Sequence, residues 1–246
     1  MIRAVLFDLD DTLFDHRRSA RAALQAVHRD HAADVDFAEL ERHHAVYLEE
    51  MHVEVLAGRI GLDEARRERF RKVFVALGVQ LDPADVNAVA TAYRSGYMTA
   101  RRALDGAAAL LAALQPRARI VIVTNNLLDE QQAKLEFCGL AHLVDVLVAS
   151  EDVGVSKPDP GIFRIALERA GVAAGEAVMV GDSWVNDIAG ARTAGIRGVW
   201  FNPDGQPKPP EPADVMEIRA LEPADAIVPL LLGTREEEAD ERTDRR

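Results

Sequence analysis

Arg3-Ala4-Val5-Leu6-Phe7-Asp8-Leu9-Asp10-Asp11-Thr12-Leu13 opens the chain with an apolar run that ends abruptly in acids. Successive apolar residues, rather than alternating ones, fit a strand covered on both faces, as strands of a parallel sheet are. The acids then fall in the loop at its C-terminal end. Comparable runs recur at residues 120–124, 144–149, 177–180 and 198–201. Helical patterns lie between them. Asp105 is placed to cap a helix over 106–114, while 129–138, 163–170 and 188–194 stop at Gly139, Gly171 and Gly195. Strands alternating with glycine-terminated helices predict βαβ units, hence an α/β core with a parallel sheet and helices on both faces.

Residues 16–101 break that rhythm. No strand pattern occurs there, but Phe37, Leu40, His44, Tyr47, Met51 and Val55 recur at three- and four-residue steps. Phe70, Val73, Phe74 and Leu77 do the same, as do Val86, Val89, Ala90, Tyr93 and Tyr97. Asp82 as N-cap and Pro83 at the first helical position start the last of these helices. An all-helical cap domain inserted after the first strand is therefore predicted over 15–102, with 1–14 and 103–232 forming the core. The stretch 203–212 is read as a proline-rich surface loop, and 233–246 as a solvated, disordered charged tail.

Composition narrows the function classes. A net charge of −12 repels nucleic-acid phosphates, so no nucleic-acid partner is expected. No apolar run approaches the roughly 20 residues that span a bilayer, so no membrane partner is expected either. The first residues do not read as a signal peptide, and Cys138 is the single cysteine, so a cytoplasmic location is expected. Cys138 itself reads as packing at a helix end. The histidines at 16, 28, 31, 43, 44 and 52 do not share one ligand face and read as helix surface or packing.

Chemistry is concentrated at the strand ends. Asp8 and Asp10, two residues apart, repel one another unless a divalent cation and an oxygen-rich ligand lie between them. Thr124 and Asn125 follow the second apolar run, where a hydroxyl and a backbone N–H suit a phosphate oxygen. Lys157 sits in the turn Ser156-Lys157-Pro158-Asp159-Pro160, just before a helix. Gly181-Asp182 ends a further strand, with Asp187 five residues on, at the sheet edge where open α/β folds bind ligands.

Paired Asp, Thr, Lys and paired Asp in this order resemble the four signature motifs of the haloacid dehalogenase superfamily, over residues 5–202. The resemblance implies a Rossmann-like core, Asp8 as nucleophile and Asp10 as general acid/base. It also implies phosphate binding by Thr124, Asn125 and Lys157, with Lys157 among the catalytic groups. Mg²⁺ would be held by Asp8, the backbone carbonyl of Asp10 and Asp182, with Asp187 supporting from outside or through water and orienting Lys157. Thr12 matches the family's usual hydroxyl and is expected to fix the loop by hydrogen bonding. Asp10 favours the phosphatase branch, because dehalogenase members generally lack an acid there. The helical cap resembles the C1-type subgroup, which closes over small phosphorylated metabolites; a monomer or homodimer is expected. A sugar phosphomutase and a non-catalytic phosphate-binding protein are the alternatives, and Trp184 is left between packing the loop and lining the pocket.

Overall fold

The computed structural model describes residues 1–210 and 214–233; the predicted charged tail after its first residue, Gly233, and the end of the proline-rich loop lie outside these. The chain folds as two compact units, one formed by Met1–Asp15 with the residues from Arg102 onward, the other by His16–Arg101.

Among the described residues, the first unit is built on six parallel strands in the order β3-β2-β1-β4-β5-β6. These are β1 (Ala4–Phe7), β2 (Arg119–Thr124), β3 (Val146–Ala149), β4 (Ala177–Gly181), β5 (Arg197–Phe201) and β6 (Met216–Ile218). All four residues of β1 are fully buried. The strand is central: Phe7 pairs with Ile122 on one side and Val180 on the other. This is why its sequence does not alternate. Leu6 joins Val121, Val123 and Met179 in a core closed by Ile162, Phe163 and Ala166, whereas the next residue turns to the opposite, equally apolar face. Full burial of each such side chain contributes about 1.5–3 kcal/mol. Strand order reverses on either side of β1, so the C-terminal ends of β1, β2 and β4 open onto one crevice.

The second unit is all-helical, as its periodicity predicts. Its helices are α1 (His16–His31), α2 (Phe37–Leu56), α3 (Leu62–Ala76) and α4 (Pro83–Ala100). Asp82 accepts from the Asp85 N–H at 2.8 Å, and Val86, Val89, Ala90, Tyr93 and Tyr97 are the buried residues of α4. His44 is buried against Phe70 and Tyr93, with ring centroids at 5.6 and 4.8 Å.

The remaining helices belong to the first unit: α5 (Ala107–Leu114), α6 (Leu128–Phe137), α7 (Ser150–Val153), α8 (Pro160–Ala170), α9 (Gly190–Thr193) and α10 (Ala224–Leu232). Two expectations need correction. Asp105 does not cap α5. Gly106 occupies the cap position with φ 83°, packed so tightly on Leu221 and Glu222 that a Cβ would lie 2.8 Å from the Glu222 Cβ, and the Asp105 carboxylate turns to Arg102 instead. The helix predicted over 188–194 starts earlier: a wide π-helical turn, Trp184–Ala189, runs into the short α9. Periodicity misses it because π geometry does not follow a 3.6-residue repeat.

Candidate active site

The loop after β1 is tightly wound. Asp11 has φ 62°, a left-handed conformation that Asp tolerates better than most residues, and the N–H groups of Leu13 and Phe14 return to the Leu9 carbonyl. The turn presents Asp8 and Asp10 in different directions.

Asp8 faces β4. Its Oδ1 accepts from the Lys157 Nζ at 2.6 Å, and the same ammonium donates to Asp187 Oδ1 at 2.7 Å. Carboxylate oxygens of Asp8, Asp182 and Asp187 lie within 4.8 Å of one another. Lys157 is only 5% exposed, and its compact ammonium fits between two carboxylates where a planar guanidinium would need a broader slot. Asn125 holds the lysine loop in place: its side-chain amide accepts from the Lys157 N–H at 2.7 Å and donates to the Lys157 carbonyl at 2.8 Å.

The β4 end is braced by several contacts. Thr12 Oγ1 accepts from the Asp182 N–H at 3.1 Å, tying the two acid-bearing loops together as its hydroxyl suggested. The Trp200 indole donates to the Asp182 carbonyl at 2.9 Å. Trp184 stacks edge-on against Trp200 at 5.2 Å, so its ring packs the loop. Asp187 Oδ2 accepts from the Ser183 N–H at 2.9 Å. Gly181 is required where it stands, because a Cβ there would lie 2.3 Å from Asp187 Oδ2.

Burial pushes the Asp8 carboxyl well above the usual range; Lys157 opposes this, while the charges of Asp187 and Asp182 reinforce it. Burial alone would lower the Lys157 ammonium, but Asp187 and Asp8 outweigh it and hold it above its ordinary value. Three acidic side chains thus share one cluster with a single ammonium, which pairs with Asp8 and Asp187. Every donor in the acid cluster is a hard carboxylate oxygen. The residues present therefore fit a hard divalent cation such as Mg²⁺.

Asp10 lies outside that cluster. Its carboxylate accepts from the Lys134 Nζ at 2.6 and 2.8 Å, from Gln131 Nε2 at 3.1 Å and from Asn126 Nδ2 at 3.3 Å. Gln131 Nε2 also donates to Thr124 Oγ1 at 2.6 Å, so the threonine proton can serve a further acceptor. Sequence reasoning missed Lys134, Gln131, Asn126 and Trp200. The available signal was Gln131 and Lys134 at i, i+3 on a helix beginning directly after the second motif.

A family model for haloacid dehalogenase-like hydrolases matches residues 2–195. The chain belongs to this family. A ribulose-1,5-bisphosphate 5-phosphatase from Halopiger xanaduensis is 33% identical over 224 residues, covering 87% of this chain and 90% of its own. Among solved structures, the HAD-hydrolase YfnB from Bacillus subtilis, determined bound to magnesium, superimposes with a TM-score of 0.72 at 28% identity, covering 92% of this chain and 98% of that one. A 2-haloacid dehalogenase from Pseudomonas syringae is equally close in sequence, at 28%, with a TM-score of 0.62 and coverage of 93% and 98%. This member of the haloacid dehalogenase-like hydrolases thus has relatives in both branches, and only its own residues can distinguish between them. Among the described residues, no helix is long and apolar enough to cross a membrane.

Proposed function

We propose that this chain is a Mg²⁺-dependent phosphomonoesterase, hydrolysing a small phosphorylated metabolite through an aspartyl-phosphate on Asp8. The observation that carries the reading is the separation of the two first-motif acids. Asp8 lies in the oxygen cluster with Asp182 and Asp187, while Asp10 is turned away to Lys134. Departure of an alcohol from phosphorus needs a proton carrier distinct from the nucleophile; departure of a halide from carbon does not.

An oxygen of Asp8 attacks phosphorus in line as the bond to the leaving alcohol breaks, and Asp10 gives its proton to that oxygen. Water then attacks the phosphoryl group and loses its proton to Asp10, freeing inorganic phosphate and restoring Asp8. Asp8, the Asp10 backbone carbonyl and Asp182, with Asp187 in support, would hold Mg²⁺, which would supply charge neutralisation at the phosphoryl oxygens. Lys157 keeps Asp8 and Asp187 in place and adds positive charge beside the transferring group. The Thr124 hydroxyl and the backbone beside Asn125 receive phosphate oxygens. We read the enzyme as a cytoplasmic monomer or homodimer whose partner is a small phosphometabolite, since a chain of net charge −12 is poorly suited to nucleic acid.

The test is phosphate release across a panel of sugar, nucleoside and hydroxy-acid phosphates, with Mg²⁺ and after chelation. Asp8→Asn should lower kcat/KM by about 10³-fold or more, and chelation should abolish turnover. The fold similarity to a dehalogenase makes halide release from a 2-chloro acid the counter-measurement, and isomer formation from a sugar phosphate tests for a mutase. Halide release without phosphate release, or phosphate release indifferent to Asp8→Asn, would overturn the reading.

A further inference from the structure

We infer that Lys134 is a positioning residue for proton transfer: with Gln131 and Asn126 it holds the Asp10 carboxylate in the orientation that serves the leaving-group oxygen and then water. The inference rests on the phosphatase reading and deepens it.

Lys134 is a helix residue only 4% exposed, and burying an ammonium is costly unless it is paired. Its charge is matched by Asp10, which it bridges through both oxygens at 2.6 and 2.8 Å while lying 5.1 Å from the centre of the Phe14 ring. Gln131, one turn earlier on α6, is fully buried and turns its amide nitrogen to both Asp10 Oδ2 and Thr124 Oγ1. This orientation leaves Gln131 Oε1 buried with no hydrogen-bond partner among the described residues. The reverse orientation would set Oε1 against the Asp10 carboxylate, so the proton carrier dictates how the amide points. The described contacts from Lys134, Gln131 and Asn126 are all donors to the Asp10 carboxyl oxygens, and their directions fix its rotamer. One turn of α6 thereby holds both the proton carrier and the hydroxyl beside the phosphate site. A one-ångström displacement of a catalytic group costs far more in rate than in folding stability, which is what separates positioning from simple packing.

A purely structural lysine and a positioning lysine differ in leaving-group dependence. An alkyl phosphate needs proton delivery as its P–O bond breaks; p-nitrophenyl phosphate, whose leaving group is stable as an anion, needs it little. The readout is kcat/KM, which ends at leaving-group departure and so excludes hydrolysis of the aspartyl-phosphate. Lys134→Met should lower kcat/KM on the alkyl ester by roughly 10²-fold and raise the aryl-to-alkyl ratio about tenfold or more. Asp10→Asn should shift the ratio in the same direction, and the double variant should add little, as expected of groups acting as a unit. Lys134→Gln, which retains a donor, should fall between and carries the same comparison if the methionine variant does not fold in a thermal-unfolding check. Equal losses on both esters, or a rise in KM alone, overturn the inference while leaving the phosphatase reading intact. A wild type that releases phosphate from neither ester overturns both.

Discussion

Gly181→Ala is the most exacting test of the site geometry. An added Cβ would stand 2.3 Å from Asp187 Oδ2, 2.4 Å from Cγ and 2.5 Å from Cβ, where real Cβ contacts essentially never fall below 3.0 Å. Asp187 must therefore retreat by at least 0.7 Å, the difference between 3.0 and 2.3. The whole side chain has to move, since three of its atoms are in the way. Its contact with Lys157, now 2.7 Å, would be stretched beyond the roughly 2.7–2.9 Å of a charge-assisted hydrogen bond, and its bond from the Ser183 N–H would be disturbed as well. Overpacking costs about 1–3 kcal/mol and a lost hydrogen bond to a charged group about 1.5–3 kcal/mol, so a loss near 3–5 kcal/mol is expected. Urea unfolding at equilibrium measures it as a lower midpoint with an unchanged slope. Phosphate release should fall by about 10²-fold, because Lys157 and Asp8 lose their common brace. Gly175→Ala is the control: a Cβ there meets nothing within 4 Å, so stability should stay within about 0.5 kcal/mol. A Gly181→Ala protein with stability within about 1 kcal/mol of wild type and full activity would refute the close-packing argument.

Two further predictions probe each unit by itself. Burial, with the charges of Arg69 and His16, holds the His44 imidazole well below its usual range. It therefore stays neutral in the fold while the unfolded chain takes up a proton below about pH 6.5, and stability must fall as pH drops, with a slope of up to about 1.4 kcal/mol per pH unit. His44→Phe should flatten the stability profile between pH 7 and 5 by that slope; parallel profiles would refute it. Trp200→Phe removes the N–H that holds the Asp182 carbonyl and should cost about 1 kcal/mol, with kcat/KM for phosphate release reduced severalfold. An unchanged kcat/KM would mean that this brace does not govern the placement of Asp182.

Local chemistry made much of this legible. β1 and β2 could be read because strands buried on both faces leave uninterrupted apolar runs, and α4 because Asp82, Pro83 and five regularly spaced inward residues agree. The strand-end acids, Thr124 and Lys157 stood out because each follows such a run directly or opens a helix. What stayed hidden depends on contacts remote in sequence. Lys134 reaches Asp10 across 124 residues, and the Trp200 indole reaches Asp182 from the adjacent strand. Asp105 had the residue type of a cap, but Gly106 packing on Leu221 and Glu222 set the helix start. The π-helical turn at Trp184–Ala189 follows no period that sequence inspection tests.

Only four of the 29 basic side chains are lysines; the rest are arginines. Two of those four, Lys134 and Lys157, are the buried partners of Asp10 and Asp8. Ammonium protons shielded from solvent and fixed by carboxylates exchange slowly enough to be seen by nitrogen-resolved NMR, whereas those of exposed lysines are lost to exchange with water. With only four lysines in a chain of 246 residues, uniform lysine labelling would give a sparse spectrum in which the two most buried side chains stand one beside each first-motif acid. Arginine use elsewhere on the surface has left the site with its own spectroscopic address.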